Sequence, residues 1–321
     1  MNDTTVGPAV TSRTARQITV GEVIDAVMAQ YSGRDGTLPS RLHWWKARLG
    51  ARDFVTLDPD TIDQAMHALA EEDATYYAGK TRDGRPIFRS RGKRSGATIN
   101  RYKAAFASVI KFARRKRIVP RGWTSPLVGI EREPESAGKL RYLSPDEYKR
   151  LLAAAKVSRW PMLYILIKLA VESGARKGAL MGLRWGDVDL DGGRAMIERT
   201  KNGTPFVITI LPDTVAEPRR FARGARNVAH PPERLVFAAA RNPAKPHNFG
   251  SAFDFALAGA RIEGTTFHTL RHTHASWLAR QGASLLQIAE SMNHRTLSMV
   301  RRYAHLAVDD RARLLQRVFG G

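Results

Sequence analysis

No cysteine occurs among the 321 residues, which excludes disulfides and thiolate metal sites and suits a reducing cytosol. No run reaches the ~18 consecutive apolar residues that a membrane-spanning helix needs. The opening stretch MNDTTVGPAVTSRTARQ lacks the apolar segment of a secretory signal. Carboxylates are the third shortage: 30 Asp and Glu stand against 52 Lys and Arg, a formal charge of +22. A folded chain this basic expects a polyanionic partner, and nucleic acid is the commonest one for a soluble protein. With 43% hydrophobic and 8% aromatic residues the chain can bury a core, and its length allows two domains.

The shortage of acid is sharpest between His268 and Leu306, HTLRHTHASWLARQGASLLQIAESMNHRTLSMVRRYAHL, where Glu290 is the only carboxylate. Five of the nine histidines fall there (His268, His272, His274, His294, His305), beside Arg271, Arg295, Arg301, Arg302 and Tyr303.

The organisation around this segment is mainly helical. Residues 1–16 read as a disordered lead-in. Thr19 and Glu22 have capping-box spacing, and Ile24, Val27, Met28 and Tyr31 follow at helical intervals. Leu42, Trp45 and Leu49 mark a second helix, and Ile62, Met66 and Leu69 a third. The glycine-rich, basic stretch 79–97 reads as a loop, and Ile99 to Ile110 give a long helix ending in RRKR. Residues 17–118 thus form a small, basic, all-helical domain. Proline and glycine cluster over 119–139, the expected linker. The second domain, 140–321, opens at Ser144 with Pro145 and Glu147, a capped helix start, and PMLYILIKLAVESGAR stops at Gly174. RAMIERTKNGTPFVITIL changes to a period of about two around Asn202-Gly203, a hairpin signal. Further helices are expected near Leu270, Leu285, Leu297 and Asp309. The predicted fold class is mainly α with a small antiparallel β-sheet (α+β).

The ligand chemistry of the histidine segment argues against a metal. His268 and His272 are four apart, but HExxH is missing, no carboxylate joins them, and neighbouring arginines repel a cation. An anion suits the same residues. Arginine's fork matches two phosphate oxygens, histidine adds a donor, and a phosphorane with two negative oxygens calls for such a cluster. Nearby positive charge would also ease ionisation of the Tyr303 phenol. Taken alone, these residues also admit bland roles. Arg176 follows a helix-ending glycine, and a lysine at a hairpin tip such as Lys201 is commonly just solvated.

Three pieces, in order along the chain, resemble the tyrosine recombinases of the phage-integrase superfamily: SGARKGALMGLRWGDVDL at 173–190, TKNGTPFVITIL at 200–211, and the histidine segment itself. The resemblance covers 140–321 and, more loosely, 17–118 as that family's helical core-binding domain. It implies that Arg176 and Arg271 clamp the scissile phosphate, with His268 as a proton acceptor or donor. Lys201 would protonate the 5′-oxygen leaving group, His294 would hydrogen-bond the phosphate, and Tyr303 would be the nucleophile of a 3′-phosphotyrosyl link. No metal or other cofactor is implied. His272 and His274 match no catalytic position and read as structural, and His305 is left unassigned. Ala179 and Asn293 depart from the pattern, since many members carry an acid and a glycine at those places.

The implied partner is double-stranded DNA embraced by both domains, with the helix near 98–117 a candidate for the major groove. The final helix, with Leu314, Leu315, Val318 and Phe319 on one face, would dock on a neighbouring protomer in a homo-tetramer. The implied function is site-specific recombination for integration or excision of a mobile element, in the cytoplasm and on the nucleoid. A type IB topoisomerase-like activity and a non-catalytic DNA-binding protein of the same fold stay open as alternatives.

Overall fold

The computed structural model describes residues 17–33, 35–81, 83–135, 140–198, 205–221, 229–307, 316 and 318–320. The chain divides into two compact units, one through Gly138 and one from Lys139.

The first unit begins with helices α1 (Val20–Ala29), α2 (Leu38–Leu49) and α3 (Pro59–Glu71). Strands β1 (Asp73–Lys80) and β2 (Pro86–Lys93) follow, and then the long α4 (Gly96–Arg115). The Thr19/Glu22 capping box forms as the spacing predicts: each side chain receives the other's backbone N–H. Leu42, Trp45, Phe54, Ile62, Leu69 and Phe106 are fully buried where the helices meet, with the Trp45 and Phe106 rings 4.7 Å apart.

Two expectations need correction here. The unit is not all-helical, because Asp73–Lys80 and Pro86–Lys93 pair as antiparallel strands, the second of them inside the stretch 79–97 read as a loop. Its glycines and arginines hide a strand pattern in which Tyr77 faces Phe88 with ring centroids 6.1 Å apart. Gly84, at φ 85°, closes the turn by donating its N–H to the Thr81 carbonyl at 3.0 Å. Nor is the proline-rich stretch after residue 118 a free linker where it is described. Val119 sits in the core, and the Trp123 indole donates to the Val55 carbonyl at 2.7 Å. The Asn100 amide exchanges two hydrogen bonds of 2.9 Å with the Glu133 backbone. Apolar groups at 119, 123, 127 and 130 hold this segment down.

The second unit starts with α5 (Pro145–Lys156), capped by Ser144 and Glu147, then α6 (Met162–Ser173) and the short α7 (Lys177–Met181). A three-stranded antiparallel sheet follows in the order β3 (Val188–Asp189), β4 (Arg194–Ile197), β5 (Phe206–Thr209). The hairpin signal therefore holds for β4 and β5, while Asn202, Gly203 and Lys201 lie outside the described residues. Helices α8 (Pro212–Phe221), α9 (Gly250–Gly259), α10 (Phe267–Arg280) and α11 (Leu285–Ser291) come next. Beyond them are two 3₁₀ segments, Leu297–Met299 and Arg301–Ala307, where sequence periodicity had suggested an α-helix near Leu297. The helix expected from Asp309 lies largely outside the described residues.

Helix α6 is largely apolar, with Lys168 and Glu172 paired along it, and most of it is buried. Helix α10 packs against it with a polar face: Thr269, Arg271, Thr273, His274 and Ser276 are all buried. Most of these groups find partners, as buried polar groups must, while the Ser276 hydroxyl has none among the described residues. Thr273 donates to the Thr269 carbonyl and accepts the Leu143 N–H, both at 2.9 Å. His274 donates from Nδ1 to the Val171 carbonyl at 2.8 Å, and its Nε2 faces Ser291 Oγ at 3.0 Å. The structural role expected of His274 is what these bonds describe.

Gly174 ends α6 in the left-handed region at φ 59°, and a Cβ there would fall 2.5 Å from the His274 ring. Gly174→Ala is therefore expected to cost about 1–3 kcal/mol in denaturant unfolding, from backbone strain and a ring held on both sides. Gly178→Ala, inside α7 where an added Cβ meets nothing within 4 Å, is the control and should be no less stable than wild type.

Candidate active site

Four backbone devices present the cluster. At the start of α10, His268, Arg271 and His272 stand at i, i+3 and i+4, hence on one helix face. The turn after Gly174 makes Arg176 the N-cap of α7. At the end of α11 the His294 N–H returns to the Ala289 carbonyl at 2.8 Å. Asn293 enters the left-handed region at φ 51°, a conformation that asparagine tolerates better than most residues. The departure from glycine at Asn293 thus keeps the glycine-like turn. Finally, the 3₁₀ segment Arg301–Ala307 delivers Tyr303.

Arg271 holds three of these parts together. Only 4% exposed, it donates from Nη1 to the Gly174 carbonyl and from Nη2 to the Met292 carbonyl at 2.7 Å. Both acceptors lie at helix C-termini, where carbonyls lack intrahelical partners and the dipole is negative. Burial, and then the charge of Arg176, bring the Arg271 pKa down to about 10, which leaves it cationic at neutral pH.

The charges bearing on this site are positive. His268 is held below its ordinary range by burial and then by Arg271, Arg176 and Arg302. Burial first, and then chiefly His268 and Arg302, lower His272 to about 4. Burial followed by Arg271, Arg176 and Arg302 brings His294 to about 4 as well. These histidines are neutral at pH 7 because burial disfavours a charged ring and neighbouring positive charge adds to that penalty. His294 Nδ1 is buried and has no hydrogen-bond partner among the described residues. No group of three or more His, Cys, Asp or Glu side chains among the described residues could hold a metal ion. Ala179, where an acid is common in the resemblance, lies half-buried against the apolar core.

Tyr303 is only 1% exposed, with its hydroxyl 2.6 Å from His272 Nδ1. The sequence argument that nearby cations would ease ionisation of the phenol is outweighed. Burial raises its pKa, and Arg302 and Arg271 offset that only in part. The His268 and His272 rings meet edge to face at 4.7 Å. Of the six residues singled out by sequence, Arg176, His268, Arg271, His294 and Tyr303 share one electrostatic environment, and Lys201 lies outside the described residues. Two members were missed. His272 touches the phenol, and the charge of Arg302 acts on His268, His272, His294 and Tyr303. Nothing in the local sequence flags His272, although its place four residues after His268 puts it on the same helix face.

Two outcomes follow. Arg271→Met leaves two carbonyls buried without a donor, and unfolding should register a loss of about 2–4 kcal/mol. His272 and His294 are held near 4 in the folded chain against 6.5 when exposed, so the unfolded chain takes up protons first as pH falls. The stability contributed by their neutral rings is complete above 6.5 and lost between 6.5 and 4. Thermal melts across that window should show the fall, and His272→Gln with His294→Gln should flatten it.

A model described as the phage integrase family matches residues 141–309. The Shufflon-specific DNA recombinase of Escherichia coli is 28% identical over 256 residues, covering 74% of this chain and 58% of its own length. The integrase of Salmonella phage P22 is 28% identical over 238 residues, covering 68% of this chain and again 58% of its own. The chain therefore spans less than two thirds of these relatives. Among solved structures, the Tn1549 transposon integrase in complex with a circular intermediate DNA superposes with a TM-score of 0.67 at 15% identity, covering 94% of this chain and 99% of that one. A lambda integrase dimer bound to a COC′ core site gives 0.63 at 17% identity, covering 89% and 95%. At such identities the likeness is one of fold. With the family model spanning more than half its residues, the chain belongs to the phage integrase family.

Proposed function

We propose that this chain is a site-specific DNA recombinase that breaks and rejoins strands through Tyr303, in the integration or excision of a mobile element. The observation that carries the proposal is the cluster itself: a buried tyrosine touching His272 and acted on by Arg271 and Arg302, with Arg176 adding its charge at His268, Arg271 and His294. A cation cluster around a hydroxyl suits a phosphate whose charge grows during attack. The integrase and recombinase names of its relatives, and the DNA bound in its structural neighbours, support the same substrate.

In this reading Arg176 and Arg271 hold the non-bridging oxygens, with His294 as a further donor and His268 carrying a proton. The Tyr303 oxygen attacks phosphorus, forming the 3′-phosphotyrosyl bond as the bond to the 5′-oxygen breaks. Lys201 gives that oxygen its proton. The phosphodiester energy stays in the covalent link, so a 5′-hydroxyl from another strand can reverse the step without a nucleotide cofactor. Arg271 starts the reaction already fixed, with little reorganisation left to do when the phosphate arrives.

Residues 17–118 would supply the core-binding domain on duplex DNA, and the charge of +22 the counterion release that drives affinity. Assembly as a tetramer through the last helix, and action in the cytoplasm on the nucleoid, belong to the same proposal. Among the described residues no helix is long and apolar enough to cross a membrane.

The test is covalent trapping. Nicked duplexes from DNA flanking the gene should yield a protein–DNA adduct on a denaturing gel with wild type. Tyr303→Phe should yield none while binding the same DNA with unchanged affinity. An adduct formed by Tyr303→Phe would overturn the assignment.

A further inference from the structure

We infer that His272 is the residue that takes the proton of the Tyr303 hydroxyl as the phenol attacks phosphorus. The inference rests on the recombinase reading above and departs from the role that resemblance gives to His268. The geometry is direct: Nδ1 of His272 lies 2.6 Å from the hydroxyl, within the reach a general base needs. Among the described residues that nitrogen is the partner of the phenol, while His268 presents its ring to His272 at 4.7 Å. His272 and Tyr303 are 31 positions apart, so the contact is made by the fold and not by the helix that carries the histidine.

The states of the two groups agree with a proton moving from oxygen to nitrogen. Burial keeps the phenol protonated, and His272, at about 4, is neutral with a lone pair to offer. The groups acting on His272 are His268 and Arg271 on its own helix and Arg302 and Tyr303 on the 3₁₀ segment. With the site empty, a proton arriving at His272 would sit among those guanidiniums, which disfavours it. A phosphate held by Arg176 and Arg271 brings the missing negative charge, so the same transfer becomes favourable once the substrate is in place. The base is therefore quiescent until DNA arrives.

The step balances. The O–H bond of Tyr303 breaks and its proton goes to His272 Nδ1. The oxygen's electron pair forms the bond to phosphorus. The bond from phosphorus to the 5′-oxygen breaks, and that oxygen takes a proton from Lys201. Religation runs the sequence backwards, with His272 returning the proton to the phenol.

The experiment is single-turnover adduct formation on nicked duplex by wild type, Tyr303→Phe, His272→Asn and His272→Gln, followed from neutral to alkaline pH. Asparagine keeps an acceptor near the place of Nδ1 but has no basicity. His272→Asn should bind DNA like wild type and form adduct about 10²–10⁴-fold more slowly at neutral pH. Its rate should climb about tenfold per pH unit as solvent takes over ionisation of the phenol, where wild type changes little. Adduct formation by His272→Asn within a few-fold of wild type, or a slowed rate whose pH profile runs parallel to wild type, overturns the inference alone. Absence of any adduct with wild type overturns the recombinase reading and the inference with it. If neither His272 variant folds, side-chain nitrogen NMR of the full chain decides. Tyr303→Phe should shift the His272 Nδ1 resonance, and an unmoved resonance overturns the contact.

Discussion

A guanidinium buried with no carboxylate beside it is costly unless its donors are satisfied. Arg271 meets that condition with backbone carbonyls in place of an acid. One comes from the end of α6 and one from the end of α11, so a single side chain on α10 ties together three helices. A carboxylate partner would have neutralised the arginine. Carbonyls orient it while leaving its full charge available to a ligand. The rest of the site depends on this choice: Arg176 follows from the turn at Gly174, and His294 from the turn after Met292.

The electrostatic consequence is a store of uncompensated positive charge. Burial, and this charge after it, keep the neighbouring histidines unprotonated, with His272 and His294 lowered to about 4. The tyrosine answers it incompletely, since burial outweighs the pull of Arg302 and Arg271. His294 Nδ1 is likewise buried without a hydrogen-bond partner among the described residues.

Legibility in the sequence followed the range of the interactions. Capping boxes at Thr19 and Ser144 join residues three apart and were readable, as was the apolar run of α6. The β1–β2 hairpin was hidden because its glycines and arginines outnumber the aromatic residues that pair across it. Helix α10 has little hydrophobic periodicity because its buried face is polar. Arg271 could be named as a site residue, but its anchors could not, since backbone acceptors carry no sequence signal. His272 looked structural for a related reason: its partner is distant in the chain and returns through tertiary packing alone.

The turn at Gly174 also governs what lengths of chain the unit accepts. Its carbonyl receives Arg271, its missing Cβ makes room for His274, and two residues later the chain must present Arg176. Identity and spacing are locked together over those three residues. An insertion or deletion of one residue there would displace an acceptor and a charge at once, even if every side chain named above were kept. The exposed turn closed by Thr81 and Gly84 carries no such double duty, so it is the place where added residues would leave this geometry untouched.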